Sequence, residues 1–174
     1  MKRMLLVFLL FSGVGLWSAQ VVALKLIPDS CWANVSNGAV NFGNYDTFNI
    51  GNLDSTGTIT VSCRVNLLKI GVGGGTTSFD IELNEGGGGS FNPRAMSNGI
   101  NTLAYNLYTD SNRSTIWGNG SGQGVKVTGS IDFPLIVVGF VTKDKSFTIY
   151  GRTQTGKSIS AGTYSDTITA TVLY

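Results

Sequence analysis

Alternation of polar and apolar residues constrains this chain most, because only an extended strand sends successive side chains to opposite faces. Residues 58–63, 78–83 and 146–150 alternate clearly, and residues 106–108, 125–127 and 163–174 continue the pattern. Turn-forming clusters of Gly, Asn and Ser separate these segments, and no stretch has sustained helical spacing. The pattern predicts about seven short strands in an antiparallel β-sandwich.

The composition argues against most enzyme classes. The 174 residues include no histidine, and only 13% are charged, with twelve Lys and Arg against ten Asp and Glu. Serine–histidine and cysteine–histidine nucleophiles and the common zinc sites all need an imidazole. The carboxylates form no recognisable catalytic pair, and the basic residues form no stripe for nucleic acid. We expect a non-enzymatic protein with no metal, no cofactor and no nucleic-acid partner.

Residues 1–23 have the features of a secretory signal peptide. Lys2 and Arg3 form a positive n-region, and the mostly apolar residues 4–16 are too short to span a bilayer. Val21 and Ala23 fit the small-x-small cleavage rule, so we expect cleavage after Ala23 and one exported domain, 24–174. Removal of Lys2 and Arg3 leaves equal numbers of basic and acidic residues, and the mature chain has no net charge.

The two cysteines, Cys31 and Cys63, are predicted to form a disulfide. Export places them in an oxidising compartment, where one bond between exactly two cysteines is the simplest outcome. A free buried pair and metal ligation are the alternatives, and neither has supporting His or further Cys. Closing a loop of about 32 residues would stabilise the fold by roughly 3.5–4 kcal/mol on the chain-entropy estimate.

Residues 151–158 match the phosphate-binding loop pattern letter for letter, and a predicted strand precedes them. That chemistry needs a helix directly afterwards, so that backbone N–H groups converge on the phosphates. Residues 159–164 and the alternating threonines beyond them predict a turn and a strand instead. We therefore expect an ordinary hairpin loop and no nucleotide partner.

The final predicted strand, 164–174, has one largely apolar face. Its even positions hold Tyr164, Asp166, Ile168, Ala170, Val172 and Tyr174, and its odd positions hold mostly hydroxyl side chains. The chain ends here, so this strand would stand beside an open apolar groove that another chain fills. An ordinary sheet edge, or pairing with an earlier strand, explains the pattern equally well.

Several segments together resemble the spore coat protein U domain family, the pilin domain of archaic chaperone–usher pili. They are residues 41–46, the strand ending at Cys63, and residues 103–110, 116–120, 149–152 and 161–166. Their order and spacing match from about Cys31 to Tyr174. The resemblance implies an incomplete immunoglobulin-like antiparallel β-sandwich that lacks its final strand and is completed by donor-strand exchange.

The same resemblance implies partners and a location. A periplasmic chaperone would lend the missing strand, and at the outer-membrane usher the N-terminal extension of another pilin subunit would replace it. The product would be a cell-surface pilus that supports adhesion and biofilm formation. Ile168, Ala170 and Val172 would line the acceptor groove, with Tyr164 and Tyr174 near its ends.

Two features depart from the family pattern. Cleavage after Ala23 leaves only residues 24–30 as a donor extension, and Pro28 cannot donate a hydrogen bond in a ladder. Residues 133–141 are unusually hydrophobic, which indicates either a strand buried on both faces or an exposed contact segment. The contact candidates are Phe133, Leu135, Ile136, Val137 and Phe140. Both features favour a terminal or minor subunit.

Two alternative functions remain open at this stage. The same sandwich could serve as a spore coat or extracellular matrix protein without polymerising through an usher. It could also be a carbohydrate-binding adhesin, for which an exposed Trp32 or Trp117 would have to form a flat platform.

Overall fold

The computed structural model describes residues 28–36, 40–48, 50–66, 75–133 and 139–174. These ranges contain eight strands and no helix, and every strand pair is antiparallel. The strands are β1 (Ser30–Ser36), β2 (Asn52–Asn66), β3 (Gly75–Leu83), β4 (Arg94–Ser97), β5 (Thr102–Tyr108), β6 (Val127–Phe133), β7 (Phe140–Gln154) and β8 (Ala170–Leu173). The predicted all-β antiparallel class is confirmed.

The strands form two sheets of different size. The larger has the order β1-β2-β7-β5-β4, and the smaller has the order β6-β3-β8. β2 and β7 pair over fifteen residues, from Asn52 opposite Gln154 to Asn66 opposite Phe140. The strands of the smaller sheet have nine residues or fewer, so they cover only part of this long ladder.

The apolar alternation seen in the sequence builds the core between the sheets. From the larger sheet come Ile59, Val61 and Val65, and from the smaller one Phe79, Ile81, Leu83, Ile131 and Phe133, all of them buried. Their polar neighbours in sequence face outward, as in the hydrogen bond between Thr60 Oγ1 and Ser146 Oγ at 2.8 Å. Burial of one face per strand is the dominant stabilising term in such a fold.

Cys31 and Cys63 lie directly opposite each other in β1 and β2, with their Sγ atoms 2.07 Å apart. The structure therefore contains the predicted disulfide, and it ties the edge strand β1 to the core. Asn66 and Phe140 lie at the same end of the sandwich, which we call the disulfide end. The start of β2 and the end of β7 lie at the opposite end.

The strand predictions from alternation hold for β2, β3, β5 and β7, although β2 and β7 extend well beyond the predicted segments. The strand predicted at residues 125–127 starts later than expected. Val125 makes only an isolated bridge to Trp117, and β6 begins at Val127. Two glycines, Gly122 and Gly124, precede Val125, and the Gly118 and Gly124 backbones lie within contact distance. The chain there follows a glycine-lined turn before it becomes extended.

The predicted final strand was too long. Only Ala170–Leu173 pairs with β3, whereas residues 163–169 make one isolated bridge, from Ser165 to Ser97 in β4. The physical reason is that side chains replace the ladder here. The Thr167 N–H donates to Asp166 Oδ1, and the Thr169 N–H donates to Asn84 Oδ1 at 2.9 Å.

The predicted signal peptide, 1–23, lies outside the described residues. Within the described ranges, we find no helix of the length and hydropathy that a transmembrane span requires.

Candidate functional site: a groove between the sheets

A groove of about 650 Å³ lies between the two sheets. Residues of both sheets line it, among them Ile59 of β2, Ile149 of β7, Leu83 of β3 and Ala170 of β8. Buried side chains form its floor, and these are Ile59, Leu83, Leu103, Tyr105, Leu107, Ile149 and Thr153. Two irregular segments, residues 40–45 and residues 162–169, stand on either side and form its walls.

The 40–45 wall is fastened to the larger sheet. Its side chains Val40 and Phe42 pack directly on the Cα of Gly151 in β7, where an added Cβ would lie 3.0 Å from Phe42 Cζ. The Phe42 ring also meets the Tyr105 ring edge-on, with centroids 6.0 Å apart. The Tyr45 hydroxyl donates to Gln154 O at 2.9 Å. The wall therefore depends on glycine at position 151.

The 162–169 wall retains the predicted alternation although it is not a regular strand. Even positions from Tyr164 to Val172 are half-buried, and odd positions from Ser165 to Leu173 are exposed. Tyr164, Ile168 and Ala170 line the groove. Val172 packs against the adjoining core, whereas Tyr174 is 55% exposed and lies outside the groove lining.

One edge of β8 carries backbone groups that have no ladder partner among the described residues, and we call it the open edge. The Asn84 N–H donates to Thr169 O at 3.1 Å, which fixes the phase of the β3–β8 ladder. In an antiparallel pair the hydrogen-bonded positions alternate, so Thr171 and Leu173 direct their N–H and C=O groups towards β3. Ala170 and Val172 direct theirs towards the open edge. Within the described residues, β8 pairs on one side only, as does the edge strand β1.

Asp166 is the one charged residue on the apolar face of this wall. Its Oδ2 accepts the Tyr105 hydroxyl at 2.7 Å, and its Oδ1 accepts the Gly87 N–H at 2.8 Å. Burial raises the pKa of Tyr105 well above its usual value, and the hydrogen bond to Asp166 adds to the rise. Tyr105 is therefore a neutral donor at physiological pH.

A buried arginine supports the loop that reaches Asp166. Arg94 is fully buried, and its guanidinium donates to Asn84 O, Asn106 Oδ1 and Trp117 O at 2.7–3.1 Å. Burial lowers the pKa of Arg94, and the cation also lies over the Phe91 ring, 5.1 Å from its centroid. Neutral acceptors thus satisfy the cation, and it joins β4, β5 and the end of β3.

The predicted hydrophobic contact segment divides into different environments. Phe133 is buried in the core, so it is not a contact residue, whereas Phe140 is 62% exposed at the disulfide end. Leu135, Ile136 and Val137 fall outside the described residues.

The structure bears on two other hypotheses from the sequence, a sugar-binding platform and a phosphate-binding loop. Trp117 is 1% exposed and donates its Nε1–H to Ile81 O, so it cannot form a sugar platform, and of that pair only Trp32 is exposed. Residues 151–154 belong to β7, and residues 155–160 contain no helix at which a phosphate could bind.

In the described part of the chain, no group of three or more Cys, Asp or Glu could hold a metal ion.

Sequence reasoning missed a second surface feature. Phe48 and Ile100 are 96% and 95% exposed, and Ile50 is also almost fully exposed. Their loops border the same segment: the Thr155 N–H donates to Gly51 O, and Asn98 lies beside Gly162. All three lie in loops at the end opposite the disulfide, and we call these residues the apolar tip. Single apolar residues within polar loops give no periodic signal in a sequence.

The chain is similar to known proteins over most of its length. The sequence profile of the Spore Coat Protein U domain matches residues 17–171. Protein U of Myxococcus xanthus is 30% identical over 150 residues, which cover 83% of this chain and 76% of that protein. The chain therefore belongs to the Spore Coat Protein U domain family, and this membership identifies a structural, non-enzymatic protein.

Among solved structures, this chain is similar to a chain of the CsuC–CsuE chaperone–tip adhesion subunit pre-assembly complex, from archaic chaperone–usher Csu pili of Acinetobacter baumannii. The sequence identity is 21% and the TM-score is 0.47. The match covers 83% of this chain but only 40% of that one.

The contact between Gly151 and the 40–45 wall gives a testable prediction. We expect Gly151→Ala to lower the free energy of unfolding by about 1–3 kcal/mol, because the methyl group enters space held by Val40 and Phe42. Gly51→Ala is the matched control, since its nearest atom would be Thr155 Oγ1 at an ordinary 3.7 Å. Denaturant unfolding measures both, and equal stability of the two variants would contradict the packing described for this wall.

Proposed function

We propose that this protein is a structural subunit of a surface pilus and that strand addition from another chain assembles it. The observation that carries the proposal is the open edge of β8 beside an apolar groove. Ala170 turns its side chain into the groove and its backbone N–H and C=O towards the open edge. A strand that lies there would gain ladder hydrogen bonds and bury alternate apolar side chains together.

The groove chemistry defines the occupant. Its floor is almost wholly aliphatic and aromatic, and Ile168 and Ala170 line one wall. A strand with apolar residues at every second position fits this lining, because only alternate side chains point inward. A periplasmic chaperone would supply such a strand first, and another pilin subunit would supply it at the outer-membrane usher. This order is the one implied by the family resemblance.

The positions of β1 and the groove support assembly into a fibre. β1 begins beside Arg64 at the disulfide end, whereas the groove lies towards the opposite end of β2 and β7. A segment that precedes β1 would leave one end of a subunit and enter the groove of a neighbour. Such a head-to-tail contact uses two different surfaces, and repetition generates an open filament. Export to the cell surface follows from the same proposal.

Charge substitutions on the two faces of the last segment test this proposal. Ile168→Asp and Ala170→Asp should abolish the soluble one-to-one complex with the co-expressed chaperone, because each places an unpaired carboxylate in the groove against the donor strand. Thr167→Asp and Thr171→Asp are the matched controls, since their side chains are exposed one position away. Co-purification from the periplasm measures the complex.

The controls should leave the complex intact, and the subunit expressed without its chaperone should aggregate or be degraded in the periplasm. A stable wild-type monomer whose behaviour none of the four substitutions changes would contradict the proposal. That outcome would favour the alternative, a coat or matrix protein whose sandwich is complete by itself.

We further propose that the subunit contributes to adhesion and biofilm formation through the apolar tip. Phe48, Ile50 and Ile100 are exposed together, and burial of such side chains against an apolar surface is favourable. Phe140 is exposed at the other end, so it provides a positional control.

Replacing Phe48, Ile50 and Ile100 together by Ser should reduce attachment of piliated cells to a hydrophobic surface by about tenfold or more. Phe140→Ser should have little effect on attachment, because Phe140 lies at the disulfide end. Pilus yield on the cells is measured in parallel. Attachment that depends on Phe140 but not on the three tip residues would assign adhesion to the other end.

The short predicted donor extension favours a terminal or minor position in the pilus. Residues 24–30 would span about 23 Å when fully extended, at about 3.3 Å per residue, and Pro28 interrupts the ladder. N-terminal sequencing of the exported protein tests this position. A first residue at Leu24 is expected, whereas cleavage near Ser18 would restore the alternating residues Val22, Leu24 and Leu26 and would favour a repeating subunit instead.

A further inference from the structure

The last segment changes sheets as it passes the groove. Ser165 exchanges two backbone hydrogen bonds with Ser97 in β4, at 2.9 and 3.0 Å, and therefore belongs to the larger sheet. Four residues later, Thr169 accepts from the Asn84 N–H and joins the ladder of the smaller sheet. We call residues 165–169 the crossover segment. It spans the space between the sheets, and Ile168 within it lines the groove.

Asp166, the second residue of the crossover segment, connects it to both sheets. Its carboxylate accepts the Tyr105 hydroxyl from the larger sheet and the Gly87 N–H from the loop after β3. The same Oδ1 accepts the Thr167 N–H at 2.8 Å. Three donors on one carboxylate hold the side chain in a single orientation, because hydrogen bonds to a charged acceptor are the strong ones.

The loop that meets Asp166 is adapted to it. Gly86 has a φ of +74°, a conformation that L side chains rarely adopt, and a Cβ at this position would collide with the Asp166 carboxylate. Arg94 holds the start of the same loop through two hydrogen bonds to Asn84 O. Both the loop and Asp166 are therefore suited to this contact. The contact explains why a charged residue lies on an otherwise apolar face.

We propose that Asp166 is a positioning residue for strand addition, which holds the crossover segment so that the groove is preorganised for an incoming strand. This inference rests on the proposed function. Without the carboxylate, the crossover segment keeps its hydrogen bonds at Ser165 and Thr169, but residues 166–168 between them gain freedom while the groove is empty, and binding has to order them again. That ordering cost appears as weaker affinity for the donor strand.

Peptide binding tests the inference. Residues 24–174 are refolded with a fluorescein-labelled synthetic peptide in which Val or Leu alternates with Thr, which is the pattern that the groove lining fits, and anisotropy gives the Kd. We expect Asp166→Ala to weaken binding about tenfold and Tyr105→Phe, which removes one of the hydrogen bonds, about threefold. Ile131→Val is the control, because it removes a methyl group from the core between the two sheets and Ile131 does not line the groove.

The control separates positioning from general stability. Ile131→Val should lower the denaturant midpoint and leave the Kd unchanged, since a purely structural change destabilises the empty and filled forms equally. Wild-type affinity in Asp166→Ala and Tyr105→Phe would overturn the positioning role, and Tyr105→Phe alone decides if Asp166→Ala does not fold. Failure of the wild-type chain to bind the peptide would instead count against the proposed function.

Discussion

The fifteen-residue ladder between β2 and β7 determines the rest of this structure. Its inner face is longer than the strands of the opposing sheet, so apolar residues near the start of β2 and the end of β7 need other cover. Residues 40–45 and 162–169 supply that cover as irregular walls. The groove lies between these walls, and we attribute it to the mismatch in strand length.

The groove and the disulfide have complementary roles in this arrangement. Cys31–Cys63 holds the edge strand β1 onto β2 at one end. At the other end polar contacts position the chain: Tyr45 reaches Gln154, Asp166 reaches Tyr105 and Gly87, and Arg94 reaches Asn84. The covalent link thus lies at one end, and the groove lies towards the other, where a partner strand is proposed to bind.

Much of the fold was predictable from alternation alone. Ile59, Val61 and Cys63 in β2, and Phe79, Ile81 and Leu83 in β3, are buried as a period of two requires. Alternation placed Ile168 and Ala170 on one apolar face, and the family resemblance implied that this face would line a groove. Alternation failed for residues 163–169, because it reports which side a residue faces and not whether the backbone has a ladder partner.

The parts of the site that sequence could not supply depend on long-range contacts. Tyr105 and Asp166 are 61 positions apart, and Asn84 and Thr169 are 85 apart, so no local rule joins them. Asp166 did leave one signal, as the single charged residue on an apolar face. Arg94 left none, because a buried guanidinium looks like any surface arginine until its neutral acceptors are known.

Hydrogen exchange along β8 tests the central claim most directly, because it reads each backbone N–H separately. The amides of Thr171 and Leu173 face β3 and should exchange slowly both in the subunit alone and in its complex with a donor strand. The amide of Val172 faces the open edge and should exchange fast in the subunit alone and become slow in the complex. Slow exchange of Val172 in the lone subunit, or fast exchange in the complex, would contradict strand addition at this edge.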